Sequence, residues 1–414
     1  MLIMEPRKVL PLLGVLIFLL TVSLCGVKAL SEEYHGKAHK GPVVEKDQWR
    51  ILLDTEFGEI TAIDVNEGPK GPLHHLQFFT LEPNSLFLPV LLHADMVFYV
   101  HTGSGKLTWA NDGGSSTISL REGDLCSLNE GSVFYIQSSL EAERRKLRIY
   151  AMFTNTDDST YDSSIGAYSR INELVRGFDK KIMQAALKAP EDLIETIIDK
   201  SNTPAIVHAV SEKQNTVQEL EATFLKNFLG IESNSKKLKT YNIFDHDPDF
   251  QNRNGWSVAV TKKQLKSLKR NNVGFLMVNL TMGSLLGPHW NPRATELSVV
   301  LDGEGMVRVV CGSGDNDDDD ETKCQNKRFK VKEGDAFVVS RFHAMAQMSF
   351  NDEPLVFLGF STAAKKNHPQ FLAGKGSVLH VLDRQILASS LDFLRGRRGG
   401  DDEGGKKAGG EGGT

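Results

Sequence analysis

Within eight residues the chain places a histidine, an amide and a carboxylate: His289-Trp290-Asn291-Pro292-Arg293-Ala294-Thr295-Glu296. Further on, Gly334-Asp335-Ala336-Phe337-Val338-Val339 leads to a second histidine, His343. Two imidazoles and a carboxylate are donors for a divalent ion, and imidazole nitrogen favours Zn or Cu. His289, His343 and Glu296 are therefore the candidate metal ligands. Asn291 lies two residues from His289, so on a strand it shares the same face. Its neutral, hard amide oxygen is a poor transition-metal ligand, so it reads as a polar support, and Gln347 reads as a second one. The same residues also suit a pocket in which the histidines bond only backbone and water. No catalytic residue is assigned and no cofactor is required.

Strands must carry these groups. Short apolar runs punctuated by Gly, Asn, Asp or Pro occupy 49–120, among them Gly58–Val65, His75–Leu81, Met96–His101 and Gly105–Trp109. They return from Gly274, with Phe275–Thr281, Leu297–Leu301, Met306–Val310, Ala336–Val339, Ala344–Phe350 and Leu355–Phe360. Such spacing means antiparallel barrels or sandwiches. Between them Ile165–Lys188, Pro190–Lys200 and Thr216–Phe228 show helical periodicity, and Gly376–Leu394 reads as a closing helix. The halves repeat one another: Gly103-Ser104-Gly105 matches Gly303-Glu304-Gly305, and Glu122-Gly123-Asp124 matches Glu333-Gly334-Asp335.

These motifs resemble the bicupins, and among them the vicilin-type (7S) seed storage globulins. The resemblance rests on Pro288–Glu296, on Glu333–Val339 with Phe342-His343, and on Phe360–Lys375. It implies an all-β fold with helical arms, built as two cupin jelly-roll barrels in tandem, each followed by helices. The implied boundaries are a first barrel at 48–160, a helical arm and linker at 161–230, a second barrel at 231–363 and a C-terminal arm at 364–394. It also implies a non-catalytic nutrient reservoir, a homotrimer assembled through the arms, and a protein storage vacuole. Metal-binding cupins want a second His where Asn291 stands, and a His three residues after the position of Phe342. In the first barrel the equivalent places read as Pro89, Leu91, Met96 and Phe134, so no ligand survives there, and His93 and Asp95 are out of register. That barrel is expected to be a packed core or an apolar small-molecule pocket. A metal-dependent oxidase or decarboxylase of small acids, as in germin-like cupins, and a secreted ligand-binding bicupin are the alternatives.

The remaining features give an address rather than a chemistry. Arg7 and Lys8 precede an apolar stretch, and Val27 and Ala29 suit cleavage after Ala29, so 1–29 reads as a secretory signal and 30–47 as a flexible lead-in. No further stretch is long and apolar enough to span a bilayer, so no membrane association is expected after cleavage. The destination is a storage vacuole or the extracellular space. The chain has 414 residues and a formal net charge of −5, which gives no reason to propose a nucleic-acid partner. Cys311 and Cys324 flank an acidic run and are expected to pair in an oxidising lumen, leaving Cys126 as a buried strand residue. Asn279-Leu280-Thr281 is a glycosylation sequon. The basic stretch 262–270 reads as a solvated face, the adjacent His74 and His75 as a surface pair, and 395–414 as a disordered tail.

Overall fold

In a computed structural model the described residues are 42–66, 72–111, 114–140, 143–155, 161–188, 191–192, 194–195, 204–209, 238–310 and 326–391. The expected signal, the Cys311–Cys324 pair, the acidic run, the helical set at 216–228 and the tail lie outside them.

The strands form two jelly-roll barrels: some, such as Val133–Ser138, alternate buried and half-buried residues, while others, such as Leu73–Leu81 and Leu355–Ser361, are nearly continuous buried runs with both faces covered. The first is made of a seven-stranded sheet, containing Asp95–Thr102, Leu147–Thr154 and Leu73–Leu81, and a six-stranded one, containing Ser85–Leu92, Val133–Ser138 and Ser104–Asn111. In the second, one 15-residue strand, Glu296–Val310, belongs to both faces. Its first half pairs with Leu355–Ser361, and its second half with Lys327–Lys332 and Ala344–Ser349. Asp302-Gly303, a turn-forming pair, is therefore a bend inside a continuous strand. A bulge falls between Val300 and Asp302, and Gly303 takes φ +74° where a Cβ would sit 2.0 Å from the Pro354 carbonyl oxygen.

The duplication read from the sequence is geometrical. Gly103 and Gly303 share φ +74°, and Gly123 and Gly334 share φ +89°. Each Glu-Gly-Asp turn then holds the segment that leads into the opposite barrel. Val43–Val44 pairs with Ala336–Phe337, and Asp335 Oδ1 accepts from the Lys46 amide at 3.0 Å. Tyr241–Asn242 pairs with Asp124–Leu125, and Asp124 Oδ1 accepts from Asn242 Nδ2 at 2.9 Å. Residues 43–47, read as part of a flexible lead-in, thus belong to a strand and a 3-10 turn.

Three large apolar clusters hold the barrels, and a small fourth one lies in the helical arm around Met183 and Ile194. Of the large ones, one fills the first barrel, one the second, and the third lies between the two, where Phe78, Tyr99 and Tyr150 meet Phe275, Val299 and Phe360. The strand Leu73–Leu81 therefore has both faces covered, and His74 and His75 are both buried, not surface residues. Alternation puts neighbours on opposite faces, but neither face here meets water. His75 Nδ1–H donates to Asp64 at 2.6 Å, Arg50 donates to the other Asp64 oxygen at 2.8 Å, and the Tyr161 ring stacks on His75. Burial pushes the Asp64 carboxyl up, but His75 and Arg50 outweigh it and hold the group below its ordinary value. In the basic stretch Lys263, Lys266 and Lys269 do face solvent, while Leu265 and Leu268 join the cluster between the barrels. Arg270 donates to Glu130 of the first barrel at 2.8 Å.

The helices are shorter than their periodicity suggested. Tyr168–Arg170 is a strand on Ser85–Leu92, and only then come α1 (Ile171–Arg176) and α2 (Lys180–Leu187), divided at Gly177. The C-terminal arm is a 3-10 turn, Val378–Val381, followed by α3 (Arg384–Ser390). Asp383 caps α3 by accepting from the Gln385 and Ile386 amides.

Candidate functional site

The second barrel holds a cavity of about 620 Å³. Its walls are apolar, from Phe275, Val278, Leu280, Leu286 and Phe371 among others. Its buried end carries His289, Asn291 and Glu296, and its open end the exposed Lys365, Lys366 and Lys375. The first barrel is the more densely filled: 24 buried apolar side chains make its core, against 11 in the second.

Strand register explains the difference position by position. Phe134 lies opposite Val90 as Met345 lies opposite His289. The Gly131 amide donates to the Leu92 carbonyl at 2.8 Å, as the Phe342 amide donates to that of Asn291 at 2.9 Å. Val90 and Leu92, not Pro89 and Leu91, are therefore the counterparts of His289 and Asn291. The link from Leu92 to Met96 is one residue shorter than that from Asn291 to Glu296, which displaces a reading made by counting. Met96 does face inward where Glu296 does, and Val90, Leu92, Met96 and Phe134 are all buried. In the second barrel the place of the missing histidine belongs to Met345.

The polar end is wired internally. Asn291 Nδ2 donates to Glu296 Oε2 at 2.9 Å, and Ser298 Oγ donates to Glu296 Oε1 at 3.0 Å. Burial pushes the Glu296 carboxyl up, more than these two bonds pull it down. His289 Nδ1–H donates to the Gly287 carbonyl at 2.8 Å, and burial lowers the imidazole pKa despite that bond. Asn291 is 1% exposed, and its Oδ1 has no hydrogen-bond partner among the described residues. Gly359, opposite Ser298 on the next strand, makes the carboxylate's room: a Cβ there would lie 2.9 Å from Glu296 Cγ. Sequence reading missed this glycine, although a lone Gly inside the apolar run Leu355–Phe360 was the available cue.

The three predicted ligands do not come together. His343 is half-buried, faces the Arg341 carbonyl through Nδ1 at 3.2 Å, and does not line the cavity. Gln347 is buried and donates to Met345 Sδ at 3.2 Å. Among the described residues no group of three or more His, Cys, Asp or Glu is placed to hold a metal ion. One imidazole, an amide and a carboxylate with both oxygens engaged do not suit Zn or Cu. Asn279 is half-buried in Gly274–Leu280, a strand paired on both sides. Cys126 is buried in Asp124–Leu128, and burial pushes its thiol up to about 12.

Two jelly-roll barrels in tandem, one packed and one hollow with a polar end, define a bicupin. A cupin family model matches residues 241–395. The vicilin-like seed storage protein At4g36700 of Arabidopsis thaliana is 44% identical over 409 residues, covering 92% of this chain and 77% of that protein. At2g18540 of the same plant is 45% identical over 373 residues, covering 85% of this chain and only 50% of its own length. The chain belongs to the vicilin-like seed storage proteins. Among solved structures, a vicilin from Solanum melongena, described as holding different anionic ligands in structurally similar pockets, aligns with TM-score 0.69 at 18% identity, over 85% of this chain and 92% of that one. Oxalate decarboxylase from Bacillus subtilis shares the fold at TM-score 0.67 and 16% identity, over 87% and 85%.

Proposed function

We propose that this chain is a non-catalytic seed storage globulin, an amino-acid reserve that assembles as a homotrimer and reaches a storage vacuole or the extracellular space through the secretory pathway. The observation that carries this reading is the substitution pattern inside the barrels. His289, Asn291 and Glu296 of the second have Val90, Leu92 and Met96 as their counterparts in the first, and in the second Asn291 and Ser298 both donate to Glu296. Exposed apolar residues on the arms support assembly: Leu174, Phe178 and Ile182 on one, Val381, Ile386 and Leu391 on the other. A packed trimer would cover them. Immunoblots of maturing and germinating seeds test the storage role; a scarce protein that persists unchanged through germination would refute it. Size-exclusion chromatography with light scattering tests the trimer.

The hollow second barrel favours a second reading beside the first, in which the same protein holds a small ligand. A cavity of about 620 Å³ lies within the range of small-molecule sites. Native mass spectrometry of protein purified from seed would show such a ligand as added mass.

A further inference from the structure

Resting on that second reading, we propose that the cavity selects an amphipathic hydroxy acid, seated with its hydroxyl against Asn291 and His289 and its carboxylate among the lysines at the opening.

The buried end accepts hydrogen bonds and offers almost none. Asn291 Nδ2 is committed to Glu296, which fixes the amide so that Oδ1, without a partner among the described residues, is the atom left to bond. His289 Nδ1 faces a carbonyl and so carries the ring proton, which leaves Nε2 as a bare lone pair. Glu296 already accepts on both oxygens. Among the described residues no Lys or Arg is buried there. A carboxylate pushed to this end would meet lone pairs with no counter-charge, whereas a hydroxyl supplies the missing donor. An ammonium would donate too, but it would enter past three lysines and bury a charge.

The walls between the ends are apolar and suit a hydrocarbon or aryl body. At the opening Lys366 is paired with Asp249 at 3.5 Å. Lys365 and Lys375 have no ion pair among the described residues and are exposed, and they supply the charge for a carboxylate.

Isothermal titration calorimetry of the full-length protein decides this with three probes: 10-hydroxydecanoate, decanoate and 1-decanol. The hydroxy acid should bind about tenfold more tightly than decanoate, the effect of one buried hydrogen bond. It should bind several-fold more tightly than decanol, the effect of an exposed ion pair. Asn291→Leu should bring the hydroxy acid and decanoate level. The surface double variant K365A/K375A, which leaves the barrel interior untouched, should bring the hydroxy acid and decanol level. Equal binding of all three probes to the wild type, as a water-filled polar end would give, overturns the inference but keeps a ligand cavity. A preference for decanoate overturns it in favour of a buried anion. No binding by any probe overturns both the inference and the ligand-binding reading.

Discussion

The Phe342 amide donates to the Asn291 carbonyl at 2.9 Å, from a backbone held at φ +67°. In the first barrel Gly131 makes the same bond to Leu92 at φ +73°. A turn that needs left-handed backbone has thus kept its geometry while its glycine became phenylalanine. The ring is 62% exposed, so burial offsets little of the strain.

Phe342→Gly should therefore stabilise the protein by about 0.5–1 kcal/mol, the relief of left-handed strain less the added entropy of glycine when unfolded. Gly131→Phe should cost about 1–2 kcal/mol through strain alone, because nothing lies within 4 Å of its added Cβ. Urea melts of both variants check this, and an unchanged midpoint for Phe342→Gly would contradict it.

Glu296 gives a pH dependence of defined sign. Its folded pKa is raised above the ordinary 4.5, so the folded state keeps a proton that the unfolded state has lost. The contribution is fully present below that ordinary value and is lost as pH rises toward the folded one. Glu296→Gln should match the wild type in acid and exceed it near neutrality. The difference between the two melting curves from pH 4 to 8 reads this term alone, and a difference constant with pH would reject it.

His101 works in the opposite direction. Burial, aided by Arg148, takes its pKa from 6.5 down to about 4, with Glu122 and Asp302 opposing. The unfolded chain takes up the proton first, so stability falls as pH drops through that window. Its ring lies 5.0 Å from that of Tyr150 in the layer between the barrels. His101→Phe should remove acid sensitivity on the order of 2 kcal/mol, measured by urea melts at pH 7 and 4.5.

Metal should contribute nothing to stability as the chain stands. Chelator should leave the melting temperature of the purified protein unchanged. Asn291→His with Met345→His would put two further imidazoles beside His289 and Glu296, and Zn should then raise the melting temperature. A chelator-induced fall in the wild type would show that the existing donors already hold an ion.

Asp335 should matter more than its place in a surface turn suggests. Its carboxylate accepts from the Lys46 and Lys332 amides, both at 3.0 Å. Asp335→Ala should cost about 1–3 kcal/mol and expose residues 43–48 to protease. Trp49, stacked on Phe78 at 3.8 Å, should report the release as a red-shifted emission.

Much of this was legible in the chain because the determining signals were local. Gly-x-Gly and Glu-Gly-Asp fix backbone that few other residues adopt, so the duplication could be read directly. His289, Asn291 and Glu296 were found together because they share one strand and the link that follows it. His343 failed because its neighbour Phe342 turns the backbone, so nearness in sequence did not carry it inward. Met345, two residues on, faces His289 instead. The pair His74 and His75 was misread because alternation tells which residues face apart, not whether either face meets water. Only the packing of one barrel on the other decides that.

The crossed lead-in segments bear on how such a protein could be dismantled. Val43–Val44 completes the sheet of the second barrel, and Tyr241–Asn242 that of the first. A single cut anywhere in 210–237 would therefore yield two fragments that stay clasped, each lending the other a strand. Nicked particles would resist further proteolysis until a cut falls in a lead-in itself. Mobilising the nitrogen they contain then becomes a matter of which bond is severed, not how many.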